Sequence, residues 1–349
     1  GEHAATACHD GKARVMSTRD GTVQRTLDVS SGHLLDVAFS PDGRVLAVAG
    51  SDVFLFDSRT GDPLGTVRTG PVRAVGFLRG DALVARNNIG EVLVHRAEDE
   101  GGRLWTLPSR GESGTALAVS GSGRWVAVGN NRYVGVYDVT VEPEDRVEGG
   151  HAGGVTALAF AAGEIGVVSA STDGTIRFWD PATGRQRRLL SGHVADVTSI
   201  AISPSGRHLA SVGSDRTVRL WALPAGEVVW TSQGHEAVIY GVVWSPDERR
   251  LYTSSWDGSV RVWDRSTGAE VERLEAGDGE ALYQLDMDRS GSLLAAASAS
   301  GKVLLWSLPD ARRRSAVVTT GRCRGVDFGP RPSELAVVGS DGARLVLLD

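Results

Sequence analysis

From residue 151 to residue 276, short apolar runs alternate with polar turns in three consecutive segments of one design. They read HAGGVTALAFAAGEIGVVSASTDGTIRFWDPATGRQRRLLSG (151–192), HVADVTSIAISPSGRHLASVGSDRTVRLWALPAGEVVWTSQG (193–234) and HEAVIYGVVWSPDERRLYTSSWDGSVRVWDRSTGAEVERLEA (235–276), and they align without gaps at a period of 42 residues. Each holds four runs of about five to seven residues rich in Val, Ile, Leu and Ala, separated by turn sequences such as SPSG, SDR, WDG and STG. Runs of that length, bounded by Gly, Pro, Asp and Ser, predict strands, and the short turns predict antiparallel neighbours. Each segment is expected to fold as a four-stranded meander with strands a to d.

Four positions keep a polar or aromatic identity inside this apolar pattern: His151, Ser169, Asp173 and Trp179; His193, Ser211, Asp215 and Trp221; His235, Thr253, Asp257 and Trp263. They can form one chain of hydrogen bonds. The turn aspartate fixes one imidazole nitrogen, the other nitrogen meets the strand hydroxyl, and the hydroxyl accepts the indole N–H. Ser, His and Asp are also the members of a hydrolytic triad, but a set that recurs three times in register reads as structural.

The pairs GH at 192–193 and 234–235 and WD at 179–180 and 263–264, at a period near 40, resemble the WD-repeat β-propeller family over nearly the whole chain. The resemblance implies an all-β fold, a single β-propeller of four-stranded antiparallel blades, with strand a at the axis, strand d outermost, and the d–a and b–c loops on a top face. Other segments fit less closely. Ser300 takes the Asp place and Trp306 keeps its own, while His95 and Tyr137 replace the Trp and Ile89 and Asn131 the Asp, so those latter two blades are expected to depend on apolar packing. His33 follows a glycine but lies three residues too late for the network position, so it is expected at the top of strand a.

The chain opens with a segment that aligns with strands b, c and d of a repeat, and its tail supplies a, b and c. Eight blades are the favoured count, closed by strand d (22–28) with the C-terminal a, b and c strands (321–349); seven blades from about residue 58 are the alternative. On this reading residues 18–349 form the propeller and residues 1–17 are a surplus b–c hairpin or the end of a preceding blade, which points to a longer polypeptide. Pairing of the tail's strand a with the opening strand b, with Cys8 facing Cys323, is a further option.

Composition narrows the function classes. A net charge of −6 disfavours nucleic acid and anionic lipid, and no apolar run reaches the roughly 20 residues of a membrane-spanning helix. With only Cys8 and Cys323 no disulfide framework is expected, and a cytoplasmic setting is the simpler one. Lys12 and Lys302 are the only lysines against a large number of arginines, a bias expected of a GC-rich bacterial genome. The arginine groups RQRR (185–188) and ARRR (311–314) fall on outermost strands, where charge discourages edge pairing. No nucleophile elbow, phosphate loop or HExxH or CxxC motif is present, so neither an enzyme nor a metal or cofactor is expected.

A propeller does not name its function. The partner-binding positions that the resemblance implies are the first outward residues of strand a and the residue before the turn aspartate. By alignment they include His33, Arg73, Thr156, Thr172, Thr198, Ser214, Val238, Tyr240, Trp256, Tyr283, Arg322 and Arg324. Val238, Tyr240, Trp256 and Tyr283 fall on two neighbouring blades, with Arg322 and Arg324 on the next and His33 and Arg73 beyond. Trp, Tyr and Arg often dominate interfaces, so a protein or peptide ligand, acidic or ending in a carboxylate, is expected on the top face. The family implies a sensor or scaffold attached to an effector domain. A ligand-binding or hydrolytic propeller with its site in the central channel is the alternative.

Overall fold

The computed structural model describes residues 3–7, 12–17, 23–28, 36–40, 42, 44–57, 60, 62–77, 82–87, 92–95, 104–107, 116–120, 122–139, 150–161, 166–277, 279–308, 310, 312–313, 317–318, 323–328, 334–339 and 342–347. Before residue 38, after residue 310 and over 104–107 this is the course of the backbone alone. Among these residues every regular element is a strand. The chain divides into two compact units, Pro108–Leu285 and the pair Gly1–Leu107 with Asp286–Asp349.

In the unit Pro108–Leu285, four antiparallel sheets follow one another along the chain. Sheet 4 contains Ala116–Val119, Trp125–Asn130 and Tyr133–Asp138. Sheet 5 contains Val155–Phe160, Val167–Ser171, Thr175–Trp179 and Gln186–Ser191. Sheet 6 contains Val197–Ile202, His208–Gly213, Thr217–Ala222 and Glu227–Gln233. Sheet 7 contains Ile239–Trp244, Arg250–Ser255, Ser259–Asp264 and Glu270–Glu275. In sheets 5 to 7 the strands pair in the order a-b-c-d, the meander that the 42-residue period predicts.

Burial explains why these strands read as they do. Strand b of sheet 5 is buried at all five positions, which accounts for its unbroken small and apolar run, whereas strand d exposes most of Gln186–Ser191. The faces of adjacent sheets close on apolar clusters. Val168, Ile176, Leu190 and Val197 pack with Leu209 and Trp221, and Val218, Leu220 and Ile239 with Leu251 and Trp263. Side chains also reach across to backbone carbonyls of the next sheet: Thr156 Oγ1 donates to Val197 O at 2.5 Å, and Trp230 Nε1 to Arg265 O at 2.8 Å.

The other unit holds sheet 2 (Asp36–Phe39, Val45–Ala49, Val53–Asp57, Pro63–Val67) and sheet 3 (Val72–Phe77, Leu83–Asn87, Val92–His95, Leu104–Leu107). Sheet 8 includes Leu293–Ser298 and Lys302–Ser307, the latter pairing with both Arg312–Arg313 and Val317–Val318. Sheet 1 joins the two ends of the chain in the order Val23–Asp28, Lys12–Ser17, His3–Ala7, Gly342–Leu347, Glu334–Gly339, Cys323–Phe328.

This last order differs from the expected closure. The tail's strand c, Gly342–Leu347, pairs with His3–Ala7 and not with the 22–28 segment, which lies at the far edge. Residues 3–7 and 12–17, expected within a surplus hairpin, are the link between tail and edge strand. The reason is local: the three opening strands form a meander through short connections, which costs less loop-closure entropy than detaching the third strand for the tail. The Cys8 half of the suggested cysteine pair lies outside the described residues.

Candidate functional site

In sheets 5, 6 and 7 the four recurrent side chains are in hydrogen-bond contact in the same sequence. His151 Nδ1 lies 3.0 Å from Asp173 Oδ2, its Nε2 lies 2.7 Å from Ser169 Oγ, and Trp179 Nε1 donates to that oxygen at 2.8 Å. The distances are 2.9, 2.8 and 2.8 Å through His193, Ser211 and Trp221, and 2.7, 2.8 and 2.8 Å through His235, Thr253 and Trp263. An Nδ1–H on the carboxylate with Nε2 accepting the hydroxyl proton satisfies the whole set, since the hydroxyl then keeps a lone pair for the indole N–H.

The electrostatics agree for the first network. Burial pushes the His151 imidazole down, and the nearby Asp173 carboxylate offsets only part of it. Burial would raise the Asp173 carboxyl, but hydrogen bonds from Thr175 and the Ala152 N–H, with His151 beside it, hold it at about 2. Asp215 and Asp257 also lie below the ordinary carboxylate range, where bonds from His193 and His235 outweigh burial.

Two members of the network escaped the sequence reading. The residue two beyond each aspartate is Thr175, Thr217 or Ser259, and its hydroxyl donates to Oδ1 at 2.6, 2.8 and 2.7 Å. Two residues further stands an arginine. Arg177 and Arg261 approach the aspartate at 3.8 and 3.9 Å, and Arg219 donates to Thr217 Oγ1 at 3.3 Å. The recurrence of DGTIR, DRTVR and DGSVR at the same period was the available signal.

These sets cannot act as triads. Ser169, Ser211 and Thr253 are fully buried, and each hydroxyl that would attack is already the acceptor of an indole N–H. Among the described residues no three His, Cys, Asp or Glu side chains gather as metal ligands would. In sheet 3, His95 stands in the Trp place and its buried Nδ1 has no hydrogen-bond partner among the described residues; in sheet 4, Tyr137 is buried in that place. Ile89 lies outside the described residues.

Several of the strand-a binding positions drawn from the sequence fall at a backbone irregularity. Strand a carries a β-bulge where register shifts between Val155 and Ala157, Val197 and Ser199, and Ile239 and Gly241, so Thr156, Thr198 and Tyr240 are the extra residues. A bulge takes one side chain out of the alternation that would bury it. Arg73 and Arg324 occupy the same register position in sheets 3 and 1, and their side chains, like His33 and Arg322, lie outside the described residues.

What the bulge residue does differs between sheets. Thr156 and Thr198 bond the carbonyls of Val197 and Ile239 in the following sheet, and the Thr172 hydroxyl is taken up by the Gly154 N–H. Tyr240 instead stacks on Trp256, ring centroids 4.9 Å apart at 23°, and Tyr283 closes edge-on at 5.5 Å from Tyr240 and 5.9 Å from Trp256. The Trp256 backbone N–H donates to Val238 O at 3.0 Å, which sets the two residues next to one another along the main chain. Trp256 remains 42% exposed. The structure thus brings the rings of Tyr240, Trp256 and Tyr283 together, with Val238 joined to Trp256 through the backbone.

Four-stranded antiparallel sheets with a recurrent His, Asp, hydroxyl and Trp network define an all-β propeller. Residues 19–52, 145–180, 184–222 and 226–264 match WD40, the WD domain, G-beta repeat. Over 186 residues the chain is 27% identical to the DENN domain and WD repeat-containing protein SCD1 of Arabidopsis thaliana, covering 53% of this chain and 12% of that longer protein. Two solved structures share the fold. The computationally designed Ika8 protein has a TM-score of 0.76 at 22% identity, over 90% of this chain and 96% of its own. Chaetomium thermophilum Sqt1, bound to the N-terminus of the ribosomal protein L10, has a TM-score of 0.78 at 18% identity, over 91% and 97%. Among the described residues no helix is long and apolar enough to cross a membrane.

Proposed function

We propose that this chain is a non-catalytic protein–protein recognition module, cytoplasmic and bacterial, that holds a protein or peptide segment against Val238, Tyr240, Trp256 and Tyr283 and thereby regulates an effector domain joined to it as a sensor or scaffold. The observation that carries the proposal is the exposed indole of Trp256, braced by two tyrosine rings at the bulge where sheets 5 and 6 spend a threonine on the neighbouring sheet. A braced aromatic loses little side-chain freedom on binding and presents a large area with a polar edge. Arg322, Arg324, His33 and Arg73 are assigned to the same surface by alignment alone. Sqt1 holds the N-terminus of another protein, and capture of a polypeptide segment is the mode we extend to this chain. Effector regulation draws support from SCD1, where the matching segment is a small part of a longer protein.

The test is affinity capture with the wild type and a Tyr240→Ala, Trp256→Ala variant, followed by titration of the captured protein against both. Wild-type binding that weakens by about tenfold or more in a variant of unchanged fold supports the patch as a hot spot. Equal binding by both overturns it.

A further inference from the structure

The gapless period allows the interface between sheets 5 and 6 to be compared with that between sheets 6 and 7, position by position. At the second interface the space near the ends of strands a and c is filled. The Trp230 indole bonds Arg265 O at 2.8 Å, the His208 ring lies 6.2 Å from that of Trp244, and the Glu248 carboxylate reaches back to accept from the Ser205 hydroxyl at 2.9 Å. One repeat earlier, the positions of Trp230, His208 and Glu248 are held by Arg188, Gly166 and Gly206. The result is a cavity of about 340 Å³ between sheets 5 and 6, walled by Phe178, Leu223 and Pro224 as well as those three residues.

We infer that this cavity is a second docking site, which receives an aromatic side chain, indole being the best fit, from an acidic segment of a partner polypeptide. Its volume lies within the range of ligand-binding pockets. The size of the guest follows from the repeat, because an indole fills the corresponding space one interface further on. The charge of the guest follows from strand d. Arg185, Arg187 and Arg188 lie on or beside it, and Arg187 is paired with Asp180, while Arg188 has no ion-pair partner among the described residues. Arg188 lines the cavity and also lies against Gly226 of the following sheet, and its guanidinium can meet a carboxylate flanking the inserted ring. This site is independent of the Tyr240 and Trp256 patch.

The probe is the capped peptide Asp-Trp-Asp, titrated calorimetrically into the full chain, with indole-3-acetate as the free counterpart. Saturable binding of the peptide is expected in the wild type and in the Tyr240→Ala, Trp256→Ala variant. Arg188→Gln should weaken it about tenfold, the worth of a charge-assisted bond, and Arg188→Trp, which copies the filled interface, should abolish it. A peptide carrying Ala for Trp should not bind. No saturable wild-type binding, equal binding by Arg188→Trp, or tighter binding of indole-3-acetate than of the peptide would overturn the proposal. Should Arg188→Trp fail to fold, Arg188→Gln and the Ala peptide still decide it.

Discussion

Ser211 is the most exacting place to test the network. Its hydroxyl is fully buried and serves two partners at once, accepting the Trp221 N–H and meeting His193 Nε2, both at 2.8 Å. Ser211→Ala removes one oxygen and leaves an indole N–H and an imidazole nitrogen buried without partners. Each orphan costs about 1–3 kcal/mol, and because both can relax slightly toward the space vacated, the expected loss is about 2–4 kcal/mol. Ser211→Thr is the control. Thr253 holds the same position in sheet 7 with the same two contacts at 2.8 Å, so threonine keeps the hydroxyl in place and should cost under about 1 kcal/mol. Urea unfolding followed by tryptophan fluorescence measures both, as a midpoint shift at constant slope. A Ser211→Ala protein within about 0.5 kcal/mol of wild type, or a Ser211→Thr protein as damaged as Ser211→Ala, would refute the reasoning.

Other outcomes follow from the same geometry. Asp215→Ala should cost about 2–4 kcal/mol by stranding His193 and Thr217, whereas Asn131→Ala, in the corresponding place of sheet 4, should cost about 1 kcal/mol, mostly from its positive φ of 39°; equal thermal shifts would contradict this. The Asp173 carboxyl is held at about 2 against about 4 in an unfolded chain, so its contribution of about 2 kcal/mol is complete above pH about 4 and lost as pH falls toward 2. The gap in urea midpoint between wild type and Asp173→Asn should therefore close on acidification. His151 titrates below its ordinary value, so the unfolded chain takes up its proton first and stability should start to fall below pH about 6.5; a His151→Gln variant should lack that component. Trp256→Ala, at a half-exposed ring, should change stability by no more than about 1 kcal/mol, and a larger loss would mark the ring as a structural cover.

Much of the region from 151 to 276 could be read in the sequence because one pattern is stated three times. Repetition separates what packing requires from what chance supplies, so His193, Ser211, Asp215 and Trp221 could be joined before any distance was measured. The bulge at Thr156, Thr198 and Tyr240 was not legible, since an extra residue in a strand leaves the apolar count unchanged. Nor was the pairing of His3–Ala7 with Gly342–Leu347, because several terminal strands share the same alternation and the pattern does not rank partners. The cavity beside Arg188 depends on differences between repeats, and those become visible only when the neighbour across the interface is known.

Four hydroxyl and indole groups that cross from sheet to sheet in Pro108–Leu285 end on main-chain carbonyls: Thr156 on Val197, Thr198 on Ile239, Trp230 on Arg265 and Ser232 on Gly268. A main-chain acceptor is present whatever residue bears it. A repeat can therefore be copied, lost or rewritten by mutation without its neighbour having to change in step, as long as the donor is kept. Lineages of such chains can lengthen or diversify one repeat at a time, and the exposed positions at their ends are free to vary while the junctions stay sound.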